Sequence, residues 1–462
     1  MLKVVKFGGS SLADANQFRK VAEIIKSDPS RRYVIASAPG KRDTHDVKVT
    51  DMLLQCFRLV RDKKSIDETF DKITERYNGI IRDLGIDFSL DEDLQGIKVA
   101  IMHHASQDYI ASRGEFLNSK ILANFLGFQF IDAEEGIFFD ENGILDQEKT
   151  DEELGRLLSY HEYAVIPGFY GASPNGMIKT FSRGGSDVTG SIVARAASAD
   201  IYENWTDVSG MLMADPRCIE NPQPIPEITY RELRELSYMG ATVLHDEAIF
   251  PVRKARIPIN IRNTNCPEAP GTMIVHKASS NNVPTVITGI AGKKGITAIH
   301  VEKDMMNAEL GFGRKVLEVL ENHHVSFEHL PSGIDTMSVL VSADALGSHK
   351  GSITADIVKK CNPDSITLVE GLCLIAIVGR GMVNTEGTAA RIFTALANAK
   401  VNIRMIDQGS SEINIIVAVE EKDYHKTIDA IYNEFVKFHP LFHLYLTQRS
   451  NTLTPFDNKS DS

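Results

Sequence analysis

Short apolar runs alternate with segments of helical spacing along the first part of the chain. In LKVVKFGGSSLAD (2–14), Leu2, Val4, Val5 and Phe7 read as an interior strand that runs into Gly8, Gly9, Ser10 and Ser11. After Asp14 the apolar positions fall at Phe18, Val21, Ile24 and Ile25, the spacing of one helix face. Further strand-like runs are RRYVIASAPG (31–40), GFQFIDAEEG (127–136), EYAVIPGFYGA (162–172), ADIYENWTDVSG (199–210) and IPINIRNT (257–264), each ending in turn or polar residues. Strands separated by helices predict an open α/β sheet with ligands at the carboxyl ends of its strands. A helical stretch from about 50 to 84 stands out as an excursion from this alternation. The Pro-, Asn- and Ser-rich TNCPEAPGTMIVHKASSNNVPT (264–285) is a candidate boundary.

Beyond it the pattern changes. GITAIHVEKD, GRKVLEVLENHH, VSFEHL and TMSVLVS give strand, helix, strand, strand, and a further helix follows. LCLIAIVGRG, TAARIFTALANAK, VNIRMID and EINIIVAV repeat that order. That is half of a ferredoxin-like βαββαβ module, given twice. The expected organisation is a large α/β domain over 1–280, a first small module over 281–370, a second over 371–448, and a polar, disordered tail over 449–462.

Composition narrows the class. The 462 residues are too many for one ordinary core, and 43% hydrophobic with 24% charged residues is the balance of a soluble globular protein. A formal net charge of −12 with no basic block argues against general nucleic-acid or membrane-surface binding. The cysteines, at 56, 218, 266, 361 and 373, are odd in number and form no Cys-x-x-Cys pair, so reduced thiols are expected. With no signal-peptide pattern and no apolar run of membrane-spanning length, a cytoplasmic location is expected.

Candidate chemistry sits at the ends of the predicted strands. Glycines at a strand-to-helix junction let backbone N–H groups approach an anion, and Lys6 beside them suggests phosphate; a tight turn with a snorkelling lysine reads equally well. SRGGSD (182–187) sets Arg183 and Asp187 around a glycine pair before a helix. The arginine offers a bidentate fork for a carboxylate or phosphate, and Asp187 faces an amino group or a metal ion, or else caps the helix. Glu115 in RGE (113–115) opens a helical run, where it also reads as a first-turn acid. NWTDVSG (204–210) places Thr206 and Asp207 at a strand's carboxyl end, with DPR (215–217) following. Trp205, the only tryptophan, reads as a packing residue. There is no Walker P-loop, no dinucleotide fingerprint and no His-Glu-x-x-His or cysteine cage, so no protein-held metal is expected. These clusters fit phosphoryl transfer without a P-loop, and a carboxylate acceptor, ionised at neutral pH, needs no general base.

KFGGSS, RGE, SRGGSD and WTDVSG...DPR, in that order and followed by two ACT-like modules, closely resemble the aspartate kinases of the amino-acid kinase family. The resemblance spans nearly the whole chain. It implies an amino-acid-kinase-type open, mainly parallel sheet sandwiched by helices, then two ferredoxin-like ACT modules. It also implies transfer of the ATP γ-phosphoryl to L-aspartate, the first step towards lysine, threonine and methionine, with ATP and Mg²⁺ as cofactors and the metal held mainly by the nucleotide. Carried onto this chain, Lys6 stabilises the phosphoryl in flight, and Gly8, Gly9 and Ser10 donate N–H groups to the phosphates. Arg183 clamps a substrate carboxylate. Glu115 and Asp187 hold the aspartate amino group or position Lys6 and the metal, and Asp187 is counted with Lys6 as catalytic. Ser37 and Thr50 match the substrate-loop serine and threonine, although PGKRDTHDVKV between them is longer than expected. Thr206, Asp207 and Arg217 match nucleotide-contacting positions. Leu212 and Thr242 stand near the adenine or phosphates, where relatives often carry Tyr and Lys or Arg.

The paired modules imply a sensor for a pathway end product, lysine first and threonine second, and a homodimer or tetramer formed through them. Met306, Phe312, Glu328 and Asp335 are the candidate effector residues, with Glu328 facing an ammonium group; Met306 and Phe312 read equally as module core. Competing readings are a kinase for glutamate, acetylglutamate or uridylate, and a non-catalytic amino-acid sensor on a kinase fold. No basic patch supports nucleic-acid binding.

Overall fold

The structure is a computed structural model that describes residues 1–437 apart from Arg183, Thr242, Val243, His245, 279–285 and Asn384. It forms two compact units, Met1–Met211 with Pro224–Leu233 and Thr242–Ser279, and Leu212–Gln223 with Arg234–Ala241 and the chain from Ser280 onward.

The first unit is built on β1 (Lys3–Phe7), β2 (Arg31–Ala36), β3 (Gln129–Phe130), β4 (Ala164–Pro167), a hairpin of β5 (Tyr170–Ala172) and β6 (Ile178–Thr180), and β7 (Ile201–Thr206). After the short β8 (Met211–Leu212) and β9 (Pro224–Ile225) come β10 (Glu227–Thr229), β11 (Ile259–Asn263) and β12 (Thr272–Val275). The main sheet has the order β10-β12-β11-β7-β1-β2-β4-β3. Its pairs are parallel except β11 with β12. From β1 the chain moves to β2 on one side and later returns to β7 on the other. The carboxyl ends of β1 and β7 therefore flank a switch point, where open sheets bind ligands.

Alternation along β1 decides which side chain faces which layer. Val5 and Phe7 enter a core with Val34 of β2, Val165 of β4 and the buried faces of five helices. These are α1 (Ala15–Lys26), α2 (Val49–Arg61), α3 (Asp67–Leu84), α4 (Asp91–Met102) and α5 (Gln107–Leu126). The sequence excursion is thus α2 to α5, and it supplies much of this core. Helix α1 starts because Asp14 accepts a hydrogen bond from the Gln17 N–H (3.0 Å), satisfying an orphan donor of the first turn. Trp205 stacks on Phe7 with ring centroids 5.9 Å apart and is fully buried, as a packing residue should be. The even-numbered residues of β1, Val4 and Lys6, belong to the opposite face. There α6 (Gln147–Ser159) is followed by α7 (Gly185–Ala196), whose Gly190 lies where a Cβ would meet the Tyr202 ring at 2.6 Å. The remaining helices are α8 (Tyr230–Tyr238) and α9 (Asp246–Ala255). No helix among the described residues is long and apolar enough to cross a membrane.

The second unit contains β13 (Gly289–Glu302), α10 (Phe312–Asn322), β14 (Phe327–His329), β15 (Thr336–Ser342), α11 (Ala343–Leu346), α12 (Lys350–Cys361), β16 (Ser365–Val378), α13 (Thr388–Asn398), β17 (Met405–Asp407), β18 (Asn414–Glu420) and α14 (Tyr424–Tyr432). One antiparallel sheet, β14-β15-β13-β16-β18-β17, carries both βαββαβ patterns. The later part of β13 pairs with β15 and with the start of β16, whereas residues 289–293 pair with 374–378 of β16, which in turn pairs with β18. Each long strand is therefore the first strand of one module and the last of the other. The strands change module at Gly295 (φ 73°) and Gly371 (φ 72°), left-handed positions beside the register shifts of β13.

Chain order and compact units part company at 212–223 and 234–241. Ile290 N–H donates to Met213 O (2.7 Å), Gln223 N–H to the Tyr432 hydroxyl (2.8 Å), and Asn414 Nδ2 to Glu235 Oε2 (2.6 Å). These bonds draw the two stretches into the second unit, a long-range pairing that local periodicity does not encode.

Candidate functional site

The site grows from the carboxyl ends of β1, β2 and β7. Lys6 lies in register with Asn204 across the parallel β1–β7 pair, so both side chains emerge on the α7 face. Helix α7 begins after Gly184, which is left-handed at φ 56°, and its first turn carries Asp187. Lys6 Nζ and Asp187 Oδ1 form an ion pair at 2.6 Å, with Lys6 about nine-tenths buried. Asn204 Nδ2 donates to the same Asp187 oxygen at 2.8 Å. Asp187 Oδ1 thus takes both bonds, and Lys6 is oriented by a partner it cannot easily exchange for water.

The loop after β1 curls into a single 3-10 turn, Gly9–Leu12. The Gly8 N–H donates to Trp205 O (3.0 Å), so it is not available to a phosphate; the expected donor role narrows to Gly9 and Ser10, the first N–H groups of the turn. Ser11 Oγ and Thr264 Oγ1 lie 2.8 Å apart and hold the far end of the turn. Gly9 in turn packs backbone to backbone on the loop after β2. Gly40 N–H donates to Gly9 O (2.8 Å), and a Cβ on Gly40 would fall 2.5 Å from the Gly9 carbonyl carbon.

The β2 loop carries Ser37, buried at the mouth of the sheet, and ends in Thr50 on the first turn of α2. Ser37 N–H donates to Phe7 O (3.2 Å), and its own carbonyl accepts from Asn118 Nδ2 (2.7 Å). Gly114 permits α5 to approach this loop, since a Cβ there would sit 2.9 Å from the Ala38 methyl and 3.6 Å from Thr50 Oγ1. Glu115 follows it. Burial pushes the Glu115 carboxyl up to about 8, against the backbone N–H of Ala38 and its own N–H, which favour the charged form. Its Oε2 has no hydrogen-bond partner among the described residues. A buried acceptor left open in this way is a docking point for a cationic donor.

On the α7 side, Phe169 adopts φ 84°, a costly value for a non-glycine residue, and is held by N–H donation to Thr189 Oγ1 (2.9 Å). Gly185 fits against it because a Cβ would meet the Phe169 ring at 2.3 Å. Phe169, Asn204 and Asn118 are the site residues that sequence reasoning missed. Asn204 was discoverable, since it is the residue of β7 that alternation places on the Lys6 face.

Not every expected residue is gathered here. Arg183 and Thr242 lie outside the described residues. Thr206, at the end of β7, donates from Oγ1 to Asp207 Oδ1 (3.2 Å), and Asp207 is exposed. Leu212 and Arg217 belong to the second unit, where Arg217 Nη2 pairs with Asp215 at 2.6 Å and is otherwise exposed. Of the effector candidates, Met306 and Phe312 are buried in the core of the first module with Val316, Val339 and Ile353. Glu328 Oε1 pairs with Lys293 Nζ at 2.5 Å. Asp335 is exposed, and its carbonyl accepts from the Lys303 N–H (2.9 Å).

Known proteins resemble this chain over most of its length. The amino acid kinase family matches residues 1–263, and an ACT domain matches 375–435. Aspartokinase 3 of Bacillus subtilis is 40% identical over 451 residues, covering 94% of this chain and 98% of the relative. The crystal structure of Clostridium acetobutylicum aspartate kinase, an allosteric enzyme, superimposes with a TM-score of 0.88 at 54% identity, over 94% of this chain and 99% of that one. E. coli aspartokinase III, in complex with lysine and aspartate, superimposes with a TM-score of 0.74 at 25% identity over 94% and 99% of the two chains. With a family model matching residues 1–263 and a relative 40% identical over nearly its whole length, the chain belongs to the amino acid kinase family and, within it, to the aspartokinases.

Proposed function

We propose that this chain transfers the γ-phosphoryl group of ATP to the side-chain carboxylate of L-aspartate, giving ADP and 4-phospho-L-aspartate. The observation that carries the reading is the buried Lys6–Asp187 pair at the β1–β7 switch point, next to phosphate-competent N–H groups. The acceptor oxygen forms the new P–O bond as the bond to the ADP oxygen breaks, and no proton is moved because the acceptor is already ionised. Lys6 neutralises charge on the phosphoryl as it crosses, with Asp187 and Asn204 fixing its direction. Glu115 receives the substrate ammonium group, and Arg183 the α-carboxylate. Ser37 and Thr50 line the acceptor side; Gly9, Ser10, Thr206 and Asp207, with Leu212, Arg217 and Thr242, serve the nucleotide.

Mg²⁺ bound with the nucleotide would neutralise phosphate charge. Among the described residues no group of three or more His, Cys, Asp or Glu forms a metal cage, whereas Asp187 Oδ2 is the kind of hard oxygen donor that Mg²⁺ accepts. Phosphates with Asp187 would therefore hold the ion. The same reading includes feedback inhibition by lysine, with threonine as second choice, and homodimers or tetramers formed through the ACT modules in the cytoplasm. Lysine was bound, with aspartate, to the E. coli relative.

The test is ADP release from Mg-ATP with L-aspartate, L-glutamate or no acceptor, each with and without lysine. Aspartate-dependent release that lysine suppresses is the expected result. Release with glutamate and not aspartate, or none from folded protein, would overturn the assignment. In the same assay Glu328→Ala should shift the lysine dose–response and leave uninhibited kcat near wild type, because Glu328, whose Oε1 pairs with Lys293, is the acid proposed to face the effector's ammonium group. An unmoved dose–response would put the effector elsewhere.

A further inference from the structure

The loop between β2 and α2 must hold Ser37, Ala38 and Thr50 in place, yet it has little apolar surface to do so. Residues 41–45 are exposed, and Val47 is 47% exposed. A cavity of about 420 Å³ lies against the loop, lined in part by Asp14, Arg42, Asp46 and Arg76. Packing alone does not determine this segment.

What ties it is one arginine from the helical excursion. Arg76 of α3 has a side chain only 5% exposed, and its Nη2 donates both to Gly40 O (2.8 Å) and to Asp46 Oδ2 (2.7 Å). Asp46 is held from the other side by Arg42, through Nε to Oδ2 (2.9 Å) and Nη2 to Oδ1 (3.1 Å). Arg76 Nε is buried with no partner among the described residues, so Asp46 is the anion that compensates this guanidinium. Gly40, gripped at its carbonyl, is two residues from Ala38, whose N–H points to Glu115. The phosphate turn touches this loop at Gly9 O, which accepts from the Gly40 N–H, but it keeps two anchors of its own in Gly8 N–H to Trp205 O and Ser11 to Thr264.

We propose that Arg76 and Asp46 form a clamp that positions the acceptor loop, residues 37–49, and so sets affinity for the carboxylate substrate without touching it. The proposal rests on the phosphotransfer reading above. Because the clamp grips the acceptor loop and the phosphate turn keeps its own anchors at Trp205 and Thr264, its loss should act on one substrate far more than on the other. A merely structural role would lower stability and disturb both alike.

The experiment compares wild type, Asp46→Asn, Arg76→Lys and the double variant by steady-state kinetics and by hydrogen–deuterium exchange of the unliganded protein. Asp46→Asn should raise the KM for aspartate about tenfold, equivalent to about 1.4 kcal/mol of lost positioning. The KM for ATP should stay within about twofold, and the double variant should be no worse than the worse single one, as for two halves of one interaction. Exchange should accelerate over 37–49 and not over 8–12. Parallel rises in both KM values, additive single effects, or unchanged exchange over 37–49 would overturn the clamp. Wild-type turnover with aspartate reports separately on the reaction, and the exchange measurement decides the clamp even if that reaction is another. Should Arg76→Lys fail to fold, Asp46→Asn carries the test alone.

Discussion

Lys6→Ala is expected to lower kcat about a thousandfold, or about 4 kcal/mol of transition-state stabilisation, while the KM for aspartate changes little. The ammonium group sits at the end of β1, and its buried ion pair with Asp187 at 2.6 Å fixes where its charge acts. That charge matters most when the phosphoryl group is between oxygens, so its removal falls on kcat and not on ground-state binding. Asn204 still holds the Asp187 carboxylate in the variant, which keeps the local fold. Single-turnover and steady-state kinetics with circular dichroism as a folding control check this. Near-normal turnover from folded protein would remove Lys6 from the mechanism.

Glu115→Gln should have the second largest effect, raising the KM for aspartate about a hundredfold, near 2.7 kcal/mol, with the ATP KM unchanged. Glu115 is buried with one oxygen unpartnered among the described residues, and the amide keeps its shape but not its capacity for charge. The pH dependence is a second signature. With its pKa pushed up to about 8, the empty site holds a neutral carboxyl at pH 7, and it must lose a proton to receive an ammonium group. Wild-type aspartate KM should therefore fall as pH rises towards 8, by at most about tenfold per unit, and the Gln variant should lack this slope. Stability runs the other way. The folded protein keeps a proton that the unfolded chain loses above the ordinary value of 4.5, so this group's contribution declines as pH rises from 4.5 through 8. Urea titrations at pH 6 and 8.5, compared between wild type and Glu115→Gln, measure that difference.

Much of the fold was legible because the relevant signals are local. Val4, Val5 and Phe7 before a glycine pair mark β1, and Phe18, Val21, Ile24 and Ile25 mark α1, whatever the rest of the chain does. Lys6 and Asp187 were nameable because each stands at a strand-to-helix junction. Their 2.6 Å contact was not, since it depends on β7 returning beside β1 some two hundred residues later. The Gly8 donor role failed for a related reason: its N–H is claimed by Trp205 O, a partner contributed by the neighbouring strand. Met306 and Phe312 show the limit of motif spacing, because an apolar residue near a proposed pocket and one inside a core have the same sequence signature until burial is known. The Arg76–Asp46 tie was hidden for the opposite reason, being an ordinary charged pair in the sequence and a buried one in the molecule.

The two fourteen-residue strands β13 and β16, each serving both regulatory modules, make the boundary between those modules a poor place to cut. A chain ended near residue 370 would strand Gly289–Lys293 without the neighbour at 374–378, leaving an apolar edge ready to recruit another molecule. The reverse fragment, beginning after 370, would lack the outer strand of its own sheet. Chimeras that exchange regulatory specificity between relatives should therefore move residues 289–437 together with 212–223 and 234–241, which bond to them, and a graft of either half alone is expected to aggregate.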